Sequence, residues 1–429
     1  MKSRKAAGRR VELWSIPKRK YPDQFRDGMR FPRQPRLAIA ASDRKIIPAF
    51  AALLAVTLVG PAVAASGPIL RNAVVWRDGQ PVELVNPARP PVDTVRIYQP
   101  RTEWTYSHHP HLTFFRGRYI AIWSNGRRDE DAPGQRILMA TAANFGEWSV
   151  PHPLVDVTTD SNGGERVLTA AGFHEDNGTL VAYFANYGPA KETPRLLAVT
   201  TTNGVDWSPP QPVGLPVCPN FGPLVVRGGR LILSGHIAFP YTDDPTGLTG
   251  WRMAGLYPPT MAASVTDDPA SFWRVARSND WGAAVCEGAA FQTEDGVIRV
   301  PLRSTGRQFR HRLWLTESRD NGVSYSAPVA TEFSDTDAKF QFGRLPDGRF
   351  FYVGNPVGGG RTPLVLALSR DGMNFDRNFI LGEQRYALAQ PGRAKGGEYG
   401  YPNVWCQDGW LHVIVSRQKE SIEVLRVKP

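Results

Sequence analysis

The sequence predicts an all-β chain folded as a single β-propeller, and three observations carry that prediction. One turn pattern recurs along the chain, the segments between its copies alternate β-rich runs with Gly, Asn, Asp and Pro, and from His111 onward no long stretch shows helical periodicity. The turn is clearest at Ser318-Arg319-Asp320-Asn321-Gly322-Val323-Ser324-Tyr325. Thr201-Thr202-Asn203-Gly204-Val205-Asp206-Trp207 and Ser369-Arg370-Asp371-Gly372-Met373-Asn374-Phe375 keep its order: a hydroxyl residue, Asp or Asn, Gly, then an aromatic three places later. Weaker copies run from Thr141 to Trp148 and from Ser264 to Trp273. The closing aromatics Trp148, Trp207, Trp273, Tyr325 and Phe375 stand 59, 66, 52 and 50 residues apart, which is the spacing of a structural repeat.

Each copy suits a hairpin turn. Asp or Asn bonds its own backbone, Gly supplies positive φ, and the aromatic tucks beneath to hold the loop. Between the copies lie paired runs that read as inner hairpins: 112–115 with 119–123, 167–173 with 179–184, 224–226 with 230–235, 289–292 with 297–302, 340–344 with 349–354, and 403–406 with 410–416. That gives six four-stranded antiparallel blades, with room for a seventh in 242–260 or 382–399. The last repeat, ending with 421–427, is one strand short. The segment 94–98 can complete it, so that both termini share one blade and close the ring, leaving no exposed edge.

Charge divides the chain into two parts. Of its 429 residues and net charge of +11, the first 45 residues hold 14 Lys or Arg against four acidic residues, so the rest is nearly neutral. A basic leader is followed by the apolar run 46–59 and by small residues ending Ala62-Val63-Ala64, the pattern of a cleavable signal peptide cut after Ala64. Pro48, Gly60 and Pro61 keep the apolar run below the roughly 20 residues that a spanning helix needs. Residues 1–65 therefore read as leader and signal, and 66–429 as one exported propeller domain, monomeric and with no stable membrane span after cleavage. The basic charge lies outside the folded body, which excludes nucleic acid as a partner. Cys218, Cys286 and Cys406 show no metal-binding spacing.

The open ends of the six inner hairpins converge on one mouth, lined by His108, His109, Asn125, Arg127, Arg128, Glu165, Arg166, Asn186, Tyr187, Asn220, His236, Glu287, Arg303, Lys339, Asn355, Tyr399, Tyr401, Asn403 and Arg417. The opposite ends are ordinary turns such as Asp176-Asn177-Gly178 and Gln407-Asp408-Gly409. Cations that can grip a carboxylate point to an acidic oligo- or polysaccharide as partner. The expected binding residues are Arg166, Arg303, Lys339, Asn125, Tyr187, His236, Asn403 and Arg417.

His108-His109-Pro110-His111 is the densest chemical signal, since a neutral imidazole can take and return a proton. In an extended strand His109 and His111 point one way and His108 the other. Adjacent His residues on opposite strand faces would chelate zinc poorly, so no metal site is expected. A Tyr401/Glu287 pair offers a second catalytic arrangement. The catalytic candidates are thus His108, His109, Tyr401 and Glu287.

The recurrent turn resembles the Asp box of sialidase-like, BNR-repeat β-propellers, which implies that its Asp residues are structural. The sialidase pattern opens on Arg-Ile-Pro, and the nearest segment here is Arg96-Ile97-Tyr98. A branch of the same superfamily that acts on terminal L-rhamnose linked to glucuronic acid is similar at Tyr106-Ser107-His108-His109-Pro110-His111, Trp123-Ser124-Asn125-Gly126, Pro133-Gly134-Gln135-Arg136, Phe342-Gly343-Arg344-Leu345-Pro346-Asp347-Gly348-Arg349 and Tyr399-Gly400-Tyr401-Pro402-Asn403. That likeness implies a seven-bladed ring, a central His, basic residues on the uronate, and in some members a bound calcium, although no cofactor is required. Where the branch often has Tyr-Pro-His, this chain has Tyr401-Pro402-Asn403. The expectation is an exo-acting glycoside hydrolase or polysaccharide lyase that removes a terminal sugar, rhamnose by this likeness, from a uronate-containing glycan with help from His. The alternatives are an exo-α-sialidase using Tyr401 and Glu287, and a glycan-binding propeller without turnover.

Overall fold

The computed structural model describes residues 69–188, 193–256, 285–304 and 311–429. The chain divides into the units Met1–Ala64 and Ala65–Pro429. The leader, the signal segment and the turn copy from Ser264 to Trp273 lie outside the described residues. Every regular element described is a β-strand, and no described helix is long and apolar enough to cross a membrane.

The strands form successive antiparallel meanders. Tyr106–Phe115, Arg118–Gly126, Arg136–Ala142 and His152–Val155 make the first. Val167–Asp176, Thr179–Tyr187, Arg195–Thr201 and Gln211–Pro212 make the next. A smaller three-stranded sheet holds Leu224–Val225, Leu231–Ile232 and Tyr241–Thr242. Phe291–Gln292, Ile298–Ser304, Arg312–Ser318 and Val329–Ser334 pair in order, as do Gln341–Arg344, Phe350–Gly354, Leu364–Ser369 and Asn374–Gly382. Gly400–Gln407, Trp410–Arg417 and Ser421–Val427 are completed by Asp93–Tyr98, with Thr94 opposite Leu425 and Tyr98 opposite Ile422. The expected sharing of one sheet by early and late strands is therefore present.

Two features were not foreseen. Arg71–Asn72 runs parallel to both Val329–Ser334 and Asn374–Gly382 and so joins two meanders into one sheet. Val74–Arg77 and Gln80–Leu84 form an additional hairpin.

The recurrent turns are held as their chemistry predicts. Gly204, Gly322 and Gly372 each donate their backbone N–H to the hydroxyl that opens the turn, at Thr201 (2.9 Å), Ser318 (2.8 Å) and Ser369 (3.0 Å). All three glycines have positive φ, of 74°, 88° and 75°. Asn203, Asp320 and Asp371 accept further backbone N–H groups of the loop. Phe375 is buried in an aromatic cluster with Phe333 and Phe342. Burial of each such ring contributes on the order of 2 kcal/mol.

First strands of several meanders pack on one another. Leu112 N–H donates to Asn403 Oδ1 (2.8 Å), while Asn403 Nδ2 and Val404 N–H both donate to Gln341 Oε1 (3.1 and 2.7 Å). Gly172 and Gly222 approach so closely that a Cβ on Gly172 would lie 2.1 Å from the Gly222 nitrogen. Only glycine permits that approach.

Candidate active site

The site is built where the first strands begin. Tyr401 is buried, and its hydroxyl donates to Glu287 Oε1 at 2.5 Å. Arg303 donates to Glu287 Oε2 and also to Tyr401 Oη, the latter at 3.1 Å, while its Nε bonds Asp337 at 2.8 Å. Arg303 and Tyr401 come from two separate strands and Glu287 from the segment that follows Val285–Cys286, so the triangle exists only in the folded chain. Burial alone would raise the Glu287 carboxyl, but Arg303 and the Tyr401 hydrogen bond bring it down to about 2. Burial pushes the Tyr401 phenol well up, and the neighbouring Glu287 charge adds to this. A carboxylate held ionised against a phenol is the arrangement in which a Tyr can give up its proton as it reacts.

The histidines meet the same tyrosine from the other side. The register of Tyr106–Phe115 shifts between His108 and His111, and His109 takes φ 52°. The strand is therefore not simply extended, and the expected alternation fails: His108 and His109 both turn toward Tyr401, with ring centroids 4.1 and 5.3 Å away. His111 instead faces Phe221 at 6.2 Å. His108 Nδ1 pairs with Ser416 Oγ at 2.6 Å, whereas His108 Nε2 and His109 Nδ1 are buried without a partner. Burial and the nearby Lys and Arg push both rings well down, His109 adds to this at His108 and Glu287 opposes it at His109, so both are neutral near pH 7. Gly400 has no room for a side chain: a Cβ there would lie 3.0 Å from His108 Cε1 and 2.9 Å from Ser416 Oγ.

Cations close the ring around the tyrosine. Lys339 is buried, donates to the Asn220 carbonyl at 2.9 Å, and stands 4.8 Å from the Tyr401 ring. Burial lowers its pKa to about 8. Arg361 lies 5.1 Å over the same ring, and its Nη1 is buried without a hydrogen-bond partner. Lys419 donates to Glu130 Oε2 at 2.6 Å and to the Ala394 carbonyl at 2.7 Å. Burial raises the Glu130 carboxyl, and Lys419 opposes that shift.

The chain from 117 to 413 matches the BNR repeat-like domain. It belongs to that family. No curated protein sequence matches it. Among solved structures, a sialidase superposes with a TM-score of 0.56 at 18% identity, covering 84% of this chain and 35% of that one. A Dyadobacter fermentans protein of unknown function gives 0.57 at 13%, covering 80% and 99%. The Trypanosoma rangeli sialidase solved in complex with sialic acid gives 0.55 at 13%, covering 80% and 60%. The chain thus spans about a third of the first sialidase and three fifths of the second, and at these identities the likeness speaks for the fold.

Within this BNR repeat-like fold the expected residues separate into two groups. His108, His109, Glu287, Arg303, Lys339 and Tyr401 share one site. His236, with φ 53°, feels the Glu287 and Arg303 charges, and burial lowers its pKa. Tyr187 stands beside the site, with its hydroxyl 2.8 Å from Asp131 and 2.9 Å from Thr169. Arg166 bonds Asn186 at 2.9 Å.

Three residues expected to bind substrate are engaged elsewhere. Asn125 is fully buried, with its amide on Tyr98, Tyr106 and Ser107 and its oxygen taking Arg136. Asn403 ties two strands at the centre. Arg417 is sandwiched between Tyr386 (3.9 Å) and Tyr399 (3.7 Å) and paired with Glu423 at 2.8 Å. Each has its hydrogen-bonding capacity used within the protein, so they hold the fold. Arg96 likewise pairs with Glu423.

Arg361, Glu130 and Lys419 were missed. Arg361 follows Gly358-Gly359-Gly360, and that run of glycines beside a cation is the signal that could have found it. Glu130 and Lys419 carry no such signal.

His108, His109 and Glu130 place their ligand atoms within 4.8 Å of one another. The local turn of the strand removes the objection that adjacent histidines face apart. Calcium takes oxygen ligands, whereas this set offers two imidazoles and one carboxylate that Lys419 already occupies. Lys339, Lys419 and Arg361 further oppose positive charge here. The residues do not fit calcium.

Proposed function

We propose that this chain is an exo-acting enzyme that cleaves an acidic glycan, with Tyr401 as the group that reacts at the sugar. The observation that carries the reading is the Tyr401–Glu287 hydrogen bond of 2.5 Å, with Arg303 bonded to both partners. Arg361, with a buried N–H that has no partner, and Lys339 would hold the substrate carboxylate. In hydrolysis Tyr401 Oη bonds to the anomeric carbon while its proton passes to Glu287. The glycosidic bond breaks, and the leaving oxygen takes up that proton; water then cleaves the Tyr401–sugar bond, giving its hydroxyl to the sugar and its proton to Tyr401 Oη.

A second reading is elimination. Two neutral imidazoles with unpartnered nitrogens beside Tyr401 favour it. His109 would take the proton next to a carboxylate neutralised by Arg361 and Lys339, and Tyr401 would protonate the leaving oxygen. The rivals drawn from the sequence thus share one tyrosine. On either route the reading takes the meanders as six blades around one axis, and takes the enzyme to be exported after cleavage at Ala64. Terminal rhamnose on glucuronate is the first substrate to test.

The test offers rhamnose-capped glucuronate glycans and sialyl-lactose, and follows free sugar together with the absorbance of unsaturated uronate. Free sugar without absorbance supports hydrolysis, and absorbance with free rhamnose supports elimination. Either signal should vanish in Tyr401→Phe. No product from any acidic glycan, with binding intact, would replace the reading with a non-catalytic binder.

A further inference from the structure

A second concave region lies apart from the Tyr401 site, and its lining differs from that of the site. Two cavities of about 500 and 170 Å³ share Phe221, Gly222, Gln341, Val404 and Trp405, so they form one space beneath the Asn403–Gln341 hydrogen bonds. Phe221 is the partition. Its ring meets Lys339 Nζ at 4.7 Å and His111 at 6.2 Å.

Two buried polar groups in the walls of this space lack partners. Trp405 Nε1 is buried with no acceptor. His111 is 1% exposed and lines the smaller cavity; one ring nitrogen faces the Ala170 backbone, whose hydrogen bonding favours the charged form, and the other has no partner. Orphaned groups of this kind are costly unless something meets them.

The lining charges select the ligand class. The only cation among the lining residues is Arg344, and its guanidinium is taken up by Glu294 and by the Gly348 carbonyl. The only acid, Glu175, is exposed at the edge. Nothing here neutralises a carboxylate, in contrast to the Tyr401 site. What remains is an indole N–H, an imidazole nitrogen that can accept, and the aromatic faces of Phe221 and Trp405. That combination suits the hydroxyls and apolar faces of a sugar, and the volume lies within the range of small-ligand pockets.

We propose that these adjoining cavities form a second ligand site, separate from the Tyr401 site, that takes a neutral sugar ring. Trp405 Nε1 donates to one of its hydroxyls, and the His111 nitrogen that does not face Ala170 accepts from another. The proposal does not depend on the reaction assigned to Tyr401.

The experiment titrates the chain with D-glucose, D-galactose and D-glucuronate, reading saturation-transfer NMR on the sugar. The expected result is saturable binding of a neutral sugar that D-glucuronate does not displace. Trp405→Phe, which deletes one donor, should weaken it about tenfold. Ala290→Phe fills the larger cavity from its wall while keeping the Trp405 side chain, and should abolish binding even if the first variant folds poorly. The proposal is overturned by neutral sugars that bind wild type and Ala290→Phe alike, by displacement with D-glucuronate, or by the absence of binding.

Discussion

The two ends of the inner hairpins use the same backbone conformation for opposite purposes. At one end Arg116-Gly117, Asn177-Gly178 and Asp408-Gly409 each combine a non-glycine φ of 46–50° with a glycine φ of 74–78°. These are two-residue turns whose left-handed residues match the twist of the strands they join. At the other end His109, His236, Glu287, Arg361 and Tyr401 lie at φ 46–64° with no glycine after them, except that Gly288 follows Glu287 without positive φ. Here no hairpin needs the conformation. It aims side chains at one point, and the surrounding packing must bear a cost of about 1–3 kcal/mol per residue. Left-handed residues at the turns serve topology, and at the mouth they serve chemistry.

If that division holds, the largest functional effect belongs to Tyr401. Tyr401→Phe keeps the ring between His108 and Lys339 and removes only the hydroxyl, so kcat should fall by about 10³-fold or more with little change in thermal stability. An active variant would show that the mouth is not organised around that oxygen. Glu287→Gln should lower kcat by about 10²–10⁴-fold. It should also destabilise the fold by about 3 kcal/mol in denaturant titration, because Arg303 loses its buried counter-charge. A loss of stability without loss of activity would reassign Glu287 to the scaffold.

Next in size are the cations. Arg361→Ala removes an unpaired buried donor, and should raise KM for an acidic glycan by about 10- to 100-fold while leaving a neutral one unaffected. Lys339 should add a pH dependence of definite sign. Its pKa is lowered to about 8, so it is charged below that pH and neutral above. KM for the acidic substrate should therefore rise as pH climbs through about 8, and Lys339→Met should flatten the profile. Glu287, held at about 2, stays ionised across that whole range and cannot cause the change.

The fold was legible because its signals are local. The turn at Ser318 to Tyr325 needs only its own residues to form, so its copies announce the repeat. The site was legible only in part, for a physical reason. Glu287 and Tyr401 stand out as an acid and a phenol at strand ends, but whether a rim cation is free or consumed depends on partners far away in sequence. Arg417 looks like a ligand-binding residue until Glu423, Tyr386 and Tyr399 close on it. Arg361 looks like a loop residue until the chain folds it over Tyr401. The paired orientation of His108 and His109 was hidden by a shift in strand register, which periodicity cannot report.

The smallest predicted effect tests the other half of the comparison. Asp320 accepts hydrogen bonds from Ser318 Oγ (2.8 Å), Ser324 N–H (2.9 Å) and Ser324 Oγ (2.5 Å), and its side chain touches no residue of the mouth. Together these lower its pKa against the opposing pull of burial. Asp320→Ala should cost about 1–2 kcal/mol in denaturant titration and leave kcat and KM within about twofold, because the turn is partly solvated and water replaces some of what is lost. The folded-state pKa is depressed, so the stability tied to this carboxylate is present above its unfolded value near 3.9 and is lost as pH falls through the folded one. The difference between wild type and Asp320→Ala should accordingly shrink in acid. An activity loss in this variant larger than its stability loss explains would mean that the turns and the mouth are coupled, and that the division between topology and chemistry fails.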